Sequence, residues 1–153
     1  TYDDVDVFIG TGGEGWGVGS NLPGAQAPYG LVRVCPDTSL PGDIEIPWNH
    51  FAGYYYGDSE VRVISHVHQF GAGSMGLGLS AVMPVGGAAA RNVDQLVNDG
   101  TYQYRSTFAH ATERAAPGYY AVHLDSNAVR VELTATRLVA VHRYTFDHAS
   151  SAA

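Results

Sequence analysis

The chain has 153 residues, 45% of them hydrophobic, which is enough for one domain with a buried core. Charged residues make up only 15%, whereas glycine (19) and tyrosine (10) are abundant, a composition typical of a loop-rich all-β protein. The formal net charge of −7 argues against a nucleic-acid partner, because phosphate binding needs clustered lysine and arginine. No apolar run approaches the roughly 20 residues that would span a bilayer.

Strand-like runs alternate with loops rich in glycine and proline along the chain. The predicted strands cover residues 5–9, 29–34, 61–65, 79–83, 102–108, 119–124, 129–134 and 138–146, and the longest loops are 10–24 and 36–47. In the run from Val129 to Thr134, apolar and polar residues alternate, which indicates a strand with one buried and one solvent-exposed face. The last three runs, joined by short turns, predict an antiparallel meander.

Helix signals are weak and fall only on residues 93–98 and 110–115, each too short for a stable helix on its own. The sequence therefore predicts an all-β fold, an antiparallel β-sandwich with long Gly/Pro-rich loops.

The segment Gly10–Gly15 matches the pattern G-x-G-x-x-G of dinucleotide-binding loops. Such a loop must open a helix whose N-terminus holds the pyrophosphate, yet Trp16 is followed by more glycine and by Pro23. We therefore interpret residues 10–24 as a loop that lets backbone or a ligand approach closely, with Glu14 and Trp16 within it.

Two histidines flank Val67, and on a strand this spacing places His66 and His68 on one face. The pair suits a metal, but no third ligand follows it, so no metal site is predicted. The alternatives are histidines that donate hydrogen bonds at the edge of a cleft and histidines with a purely structural role.

The carboxylates show no arrangement that predicts an acid–base pair, so no catalytic residue is predicted. Asp37 and Asp58 precede hydroxyl residues, which favours solvated or turn-capping roles.

Five aromatic residues crowd around Gly53: Trp48, Phe51, Tyr54, Tyr55 and Tyr56. Aromatic rings stack on the apolar faces of sugars, so the cluster is either the lining of a sugar site or part of the core.

An ordered set of segments resembles glycoside hydrolase family 92, whose members open near N-P-F-I-G-T-G-G. The matching segments are 7–13, 23–32, 36–38, 53–59, 65–68, 71–73, 104–106, 116–120, 132–136 and 142–146. Among them, the run 53–59 is similar to S-G-Y-x-Y-x-D-S and the run 65–68 to S-H-T-H. The resemblance runs from about residue 5 to residue 146 in family-like order and spacing.

The resemblance implies a calcium-dependent, inverting exo-α-mannosidase that releases terminal α-mannose from glycans. Such enzymes join an N-terminal supersandwich-like β-domain to a C-terminal (α/α)6 barrel, which carries the catalytic acid, the base and the calcium ligands. Residues 1–153 would then be the N-terminal domain, incomplete and without the catalytic domain, and would contain no metal ligand. By matched position and chemistry, the expected substrate-binding residues are Trp48, His66, His68, Tyr54, Glu14 and Trp16.

The resemblance also implies mannose-containing glycans as ligands, an adjoining domain or subunit on an apolar docking face, and a secreted, periplasmic or lumenal location. The alternative is a non-catalytic carbohydrate-binding or assembly module derived from the family. The lost loop residues and the missing barrel favour it slightly: Glu14 and Trp16 stand where the family often has histidines, and residues 75–79 lack its aspartate. The block 91–100 is also short relative to typical members.

Overall fold

The computed structural model describes residues 4–15, 18–43, 48–70, 80–86 and 104–147, and they form two four-stranded antiparallel sheets. The first sheet holds β1 (Ala25–Gln26), β2 (Arg33–Ser39), β3 (Glu60–Ser65) and β4 (Ser106–Thr107) in that order. The second holds β5 (Arg114–Ala116), β6 (Tyr119–Leu124), β7 (Val129–Ala135) and β8 (Ala140–Phe146). The predicted all-β antiparallel sandwich is therefore confirmed.

The predicted three-stranded meander forms β6, β7 and β8 of the second sheet. Val131 of β7 pairs with Val122 of β6 on one side and with Tyr144 of β8 on the other. Apolar and polar residues alternate along β7, and this determines which face of the strand is buried. Val129, Val131 and Leu133 lie on the buried face, in the core.

The core lies between the two sheets and draws side chains from both. It contains, from the first sheet and the segments beside it, Ala25, Val32, Val34, Val61, Ile64 and Phe108, and from the second, Tyr120, Val122, Leu124, Val129, Val131 and Leu133. Burial of these apolar side chains is the main force that holds the sheets face to face.

The first sheet begins later in the chain than the sequence predicts. The strand predicted at 5–9 was wrong, and of the strand predicted at 29–34 only residues 33 and 34 belong to β2. Residues 5–9 form turns, because the Asp6 carboxylate accepts a hydrogen bond from the Phe8 amide (2.9 Å) and so competes with strand pairing. Residues 27–30 also form a turn, closed by a 3.0 Å bond from the Gly30 amide to the Ala27 carbonyl.

Residues 36–39, predicted as the start of a loop, belong to β2 instead. They pair with residues 60–64 of β3, and a register shift between Asp37 and Thr38 adjusts the ladder. Pro36 is accommodated although proline cannot donate a ladder hydrogen bond.

Other predictions were right only in part. Within 79–83, Val82 makes an isolated bridge to Ile64, and within 102–108 the strand is Ser106–Thr107. Residues 110–115 give one turn of 3₁₀ helix at His110–Thr112 before β5 begins. The predicted turn at 93–98 lies outside the described residues.

Apolar side chains lie exposed at the β7–β8 hairpin. Leu138, Val139 and Val141 are 74%, 56% and 50% exposed, and β8 pairs only with β7 among the described strands. No helix in the described ranges is long and apolar enough to cross a membrane.

Candidate functional site

Trp48 lies on the surface, in a turn between β2 and β3. Its side chain is 73% exposed, and its ring meets the buried Phe51 ring edge-on, with centroids 6.1 Å apart and an interplanar angle of 67°. The ring is therefore supported from one side and open to solvent elsewhere, as a stacking platform for a sugar would be.

The segment that carries Trp48, residues 48–56 (the Trp48 segment), is held on β2 by hydrogen bonds of its backbone. The Thr38 amide donates to the Gly53 carbonyl (2.9 Å), and the Tyr55 amide donates to the Thr38 hydroxyl oxygen (2.9 Å). Gly53 closes the turn with a 3.0 Å bond to the His50 carbonyl, at a φ of +86° that favours glycine.

The glycine loop packs against this segment. The Ala52 amide donates to the Gly19 carbonyl (3.1 Å), and the Tyr55 hydroxyl donates to the Gly13 carbonyl (2.7 Å). A Cβ at Gly19 would lie 1.8 Å from the Asn49 carbonyl oxygen, so this close approach requires glycine. The predicted role of the loop, close backbone approach, is thus what the glycines provide.

Glu14 follows Gly13 directly and is exposed, so it lies in the part of the loop that adjoins the Trp48 segment. Trp16, which was also predicted to bind substrate, lies outside the described residues.

A buried histidine–carboxylate pair braces the same segment. His50 Nε2 lies 2.5 Å from Asp58 Oδ2, both side chains are buried, and His50 Nδ1 lies 2.7 Å from Asn49 Oδ1. Sequence reasoning did not single out His50, and the prediction that Asp58 is solvated or caps a turn was wrong. In the sequence, the only sign of this pair was a histidine and an aspartate eight residues apart, within one cluster of aromatic residues.

His68 is fully buried beneath the Trp48 segment. Its Nδ1 lies 2.8 Å from the Ala52 carbonyl oxygen, and its Nε2 lies 2.9 Å from Ser65 Oγ. The Ser65 hydroxyl also lies 2.7 Å from Asp37 Oδ2. This environment supports the structural alternative for His68, since the side chain has no exposed surface.

Asp37 is likewise buried rather than solvated, which makes its predicted turn-capping role wrong. Burial raises the pKa of the Asp37 carboxyl above its ordinary value, although His68 and the Ser65 hydroxyl act in the opposite direction.

Tyr54 of the same segment is also fully buried. Its hydroxyl donates to both oxygens of Glu113 (3.0 and 3.1 Å), and Glu113 also accepts from the Tyr120 hydroxyl and lies 2.5 Å from His110 Nδ1. Burial first, and then the charge of Glu113, raise the pKa of Tyr54 well above its ordinary value. Tyr54 therefore lies within a buried polar cluster, where its hydroxyl faces the protein.

His66 is near a different part of the sandwich. Its Nδ1 donates to the Ser80 carbonyl, and its Nε2 lies 2.9 Å from His142 Nε2 on β8. Burial and the neighbouring His66 lower the pKa of His142. His66 and His68 are only two residues apart in the sequence, yet the His66 side chain contacts the second sheet, whereas the His68 side chain contacts the Trp48 segment.

Two clefts are open at the surface of the described residues. The larger, of about 650 Å³, is lined by Asn21, Gln26, Tyr29 and Thr134 among others, and the smaller, of about 390 Å³, lies between residues 6–13 and Tyr56. Neither is lined by Trp48. Size alone does not indicate chemistry, and the supported aromatic ring is the better candidate for a sugar contact.

The arrangement thus combines an exposed tryptophan, a glycine loop with a carboxylate beside it, and a buried polar layer that holds both. Comparisons with known proteins identify the family. A family model described as the glycosyl hydrolase family 92 N-terminal domain matches residues 4–153. The chain belongs to glycosyl hydrolase family 92.

Solved structures of family 92 enzymes share the fold. The α-mannosidase BT3965 from Bacteroides thetaiotaomicron is 30% identical, with a TM-score of 0.68 over 95% of this chain and 18% of that chain. The same enzyme in complex with mannoimidazole gives a TM-score of 0.69. The family 92 glycosyl hydrolase ccman5 is 28% identical, with a TM-score of 0.68 over 96% of this chain and 19% of that chain.

The chain thus spans less than a fifth of the length of these family 92 structures. The search of curated proteins gave no match.

Proposed function

We propose that this family 92 domain is part of an inverting exo-α-mannosidase, in which it supplies one wall of the pocket that binds terminal α-mannose. The observation that carries the proposal is the Trp48 ring, exposed yet held by Phe51 and by the hydrogen-bonded turn at Gly53. The solved complex of the related α-mannosidase with mannoimidazole supports mannose-like ligands for the family.

In this proposal Trp48 stacks on the apolar CH face of a sugar ring. The sugar hydroxyls need polar partners, and Glu14 in the adjoining loop is exposed and able to accept hydrogen bonds from them. Trp16 is proposed as a second aromatic contact from its position in the loop, whereas both ring nitrogens of His66 already have partners in Ser80 and His142.

Inverting hydrolysis needs a carboxylic acid and a carboxylate base, with room for a water between them. We assign both groups, and the calcium ligands, to the remainder of the enzyme. In the described part of the chain, no three His, Cys, Asp or Glu residues are placed together to hold a metal. The chain's own part in the reaction is to bind and orient the sugar.

The exposed apolar side chains Leu138, Val139 and Val141 are proposed to dock against the rest of the enzyme. The related structures are much longer than this chain, so an enzyme of that length has a further domain with which to cover this face. By family membership, the enzyme is proposed to act in a secreted, periplasmic or lumenal compartment.

The second candidate function is a non-catalytic carbohydrate-binding or assembly module. It is favoured by Glu14, which stands where the resemblance leads us to expect a histidine. Such a module would keep the sugar-binding wall without turnover.

The experiment begins with the intact mass of the natural polypeptide that contains this chain. A mass several times 16.3 kDa places a catalytic domain in the same polypeptide, whereas a mass near 16.3 kDa makes the binding module the leading account. Hydrolysis of α-mannosides is then measured with and without a calcium chelator.

The residue-level test is Trp48→Ala in the same polypeptide. We expect kcat/KM to fall about twofold to tenfold, because aromatic stacking contributes about 0.5–1.5 kcal/mol beyond the area it buries. Trp48→Phe is the control, since it keeps an aromatic face and should retain most of the activity. Unchanged turnover by Trp48→Ala would show that Trp48 does not contact the sugar.

A further inference from the structure

We propose that His68 is a positioning residue, which together with Asp37 and Ser65 fixes the path of the turn that carries Trp48. This inference rests on the proposed function of Trp48, because positioning matters for activity only if the tryptophan contacts the sugar. It assigns to His68 an indirect role in place of direct contact.

The direction of each hydrogen bond follows from the chemistry of the atoms. A carbonyl oxygen only accepts, so His68 Nδ1 carries a hydrogen and donates to the Ala52 carbonyl at 2.8 Å. This bond ties the His68 side chain, three residues after β3, to the backbone of a residue 16 positions earlier in the chain.

The remaining two contacts form one chain of hydrogen bonds, from His68 Nε2 to Ser65 Oγ (2.9 Å) and from Ser65 Oγ to Asp37 Oδ2 (2.7 Å). A serine hydroxyl has a single hydrogen, so it satisfies only one neighbour as donor. Either His68 carries a second proton and Asp37 is ionised, or His68 is neutral and Asp37 carries the proton. Both arrangements keep the two hydrogen bonds through Ser65 Oγ, so the group stays connected in either state.

The group also shapes the turn by filling the space under it. A Cβ at Gly53 would lie 2.2 Å from Asp37 Oδ1 and 3.0 Å from His68 Cε1 and Nδ1. The turn therefore rests directly on the two side chains, while the Gly53 carbonyl is held by the Thr38 amide (2.9 Å). The consecutive carbonyl groups of Ala52 and Gly53 are thus both held by hydrogen bonds, one from His68 and one from Thr38 of β2.

The fixed residues are adjacent to those that support the tryptophan. Phe51, whose ring meets Trp48 edge-on, directly precedes Ala52. The Ala52 amide is bonded to Gly19, so a shift of Ala52 would move both the Trp48 support and its contact with the glycine loop. His68 itself has no exposed surface, so any effect it has on a sugar is indirect.

The test uses the full polypeptide labelled with 5-fluorotryptophan, with Trp48→Phe to assign the fluorine resonance of Trp48. His68→Leu removes the donor to Ala52 while keeping an apolar side chain in the buried site. We expect the Trp48 resonance to shift and kcat/KM for α-mannosides to fall by up to about tenfold, because small misplacements of a binding group are costly. His68→Asn, whose amide nitrogen can take the place of Nδ1, should restore part of both.

The decisive comparison is a double-mutant cycle. If His68 acts through Trp48, His68→Leu should lower activity far less in a Trp48→Ala background than in the wild type. Fully additive effects, or an unshifted Trp48 resonance in His68→Leu, would overturn the proposal. His123→Leu, a histidine of the opposite sheet, is the matched control and should leave the resonance in place.

Two further results keep the inference separable from the proposed function. A shifted resonance in His68→Leu combined with unchanged turnover in Trp48→Ala overturns the sugar contact and supports the positioning. If His68→Leu does not fold, Ser65→Ala replaces it, since this variant removes only the hydroxyl that links His68 to Asp37. A Trp48 resonance that Ser65→Ala leaves unshifted then overturns the positioning.

Discussion

Replacing Gly53 by alanine should destabilise the domain by about 2–5 kcal/mol. The φ of +86° costs a residue with a Cβ about 1–2 kcal/mol. In addition, the new Cβ would lie 2.2 Å from Asp37 Oδ1, and overpacking in a buried site typically costs about 1–3 kcal/mol. Because domains are stable by only about 5–15 kcal/mol, this loss is a large share of the total.

The matched control is Gly118→Ala in the turn between β5 and β6. Gly118 has a similar φ of +81°, but its Cβ would meet only the Gln26 carbonyl oxygen at an ordinary 3.8 Å. This variant should therefore lose only the backbone strain, and the difference between the two variants isolates the clash.

Hydrogen exchange of the slowest amides in β2, β3, β6 and β7 measures both losses in the intact polypeptide, since core strands exchange through global opening of their domain. Equal losses in Gly53→Ala and Gly118→Ala would refute the conclusion that the turn rests on Asp37 and His68.

Two further predictions concern the second sheet. Hydrogen bonds from Arg143 and Tyr119 lower the pKa of Glu132 to about 2, so its contribution to stability is full above its unfolded pKa of about 4.3 and is lost as the pH falls toward 2. Glu132→Gln should lose less thermal stability than the wild type over that range, and parallel profiles of Tm against pH would contradict this. If the hairpin around Leu138 docks against the rest of the enzyme, β8 amides should exchange more slowly in the full polypeptide than in the isolated chain; equal rates would exclude docking there.

The sequence alone determined the β6–β8 meander of the second sheet. Apolar and polar residues alternate strictly along Val129–Ala135, with short turns on both sides, so only one face of the strand can be the buried one. A one-residue shift in the pairing register would turn that apolar face to solvent. The pairing of β6, β7 and β8 is therefore local in the chain and readable from it. The family was also readable, because many short matches in fixed order are specific even where each is weak.

The first sheet was less predictable because its partners are distant in sequence. Residues 36–39 read as a loop, since Pro36 and Asp37 disfavour strands, yet they pair with residues 60–64 of β3. Residues 5–9 have strand propensity but form turns around the Asp6 carboxylate. In both cases contacts that no local pattern contains override the intrinsic preference.

The candidate site divides along the same line. Its aromatic and glycine residues were visible in the sequence, because composition and spacing alone mark Trp48 and the loop 10–24. Which side chains face solvent was decided only by the tertiary structure. His66 and His68 share one strand-like spacing, but β8 approaches one, while the Ala52 carbonyl and Ser65 enclose the other. Burial depends on what the rest of the chain packs against each residue, and a one-dimensional pattern does not record that.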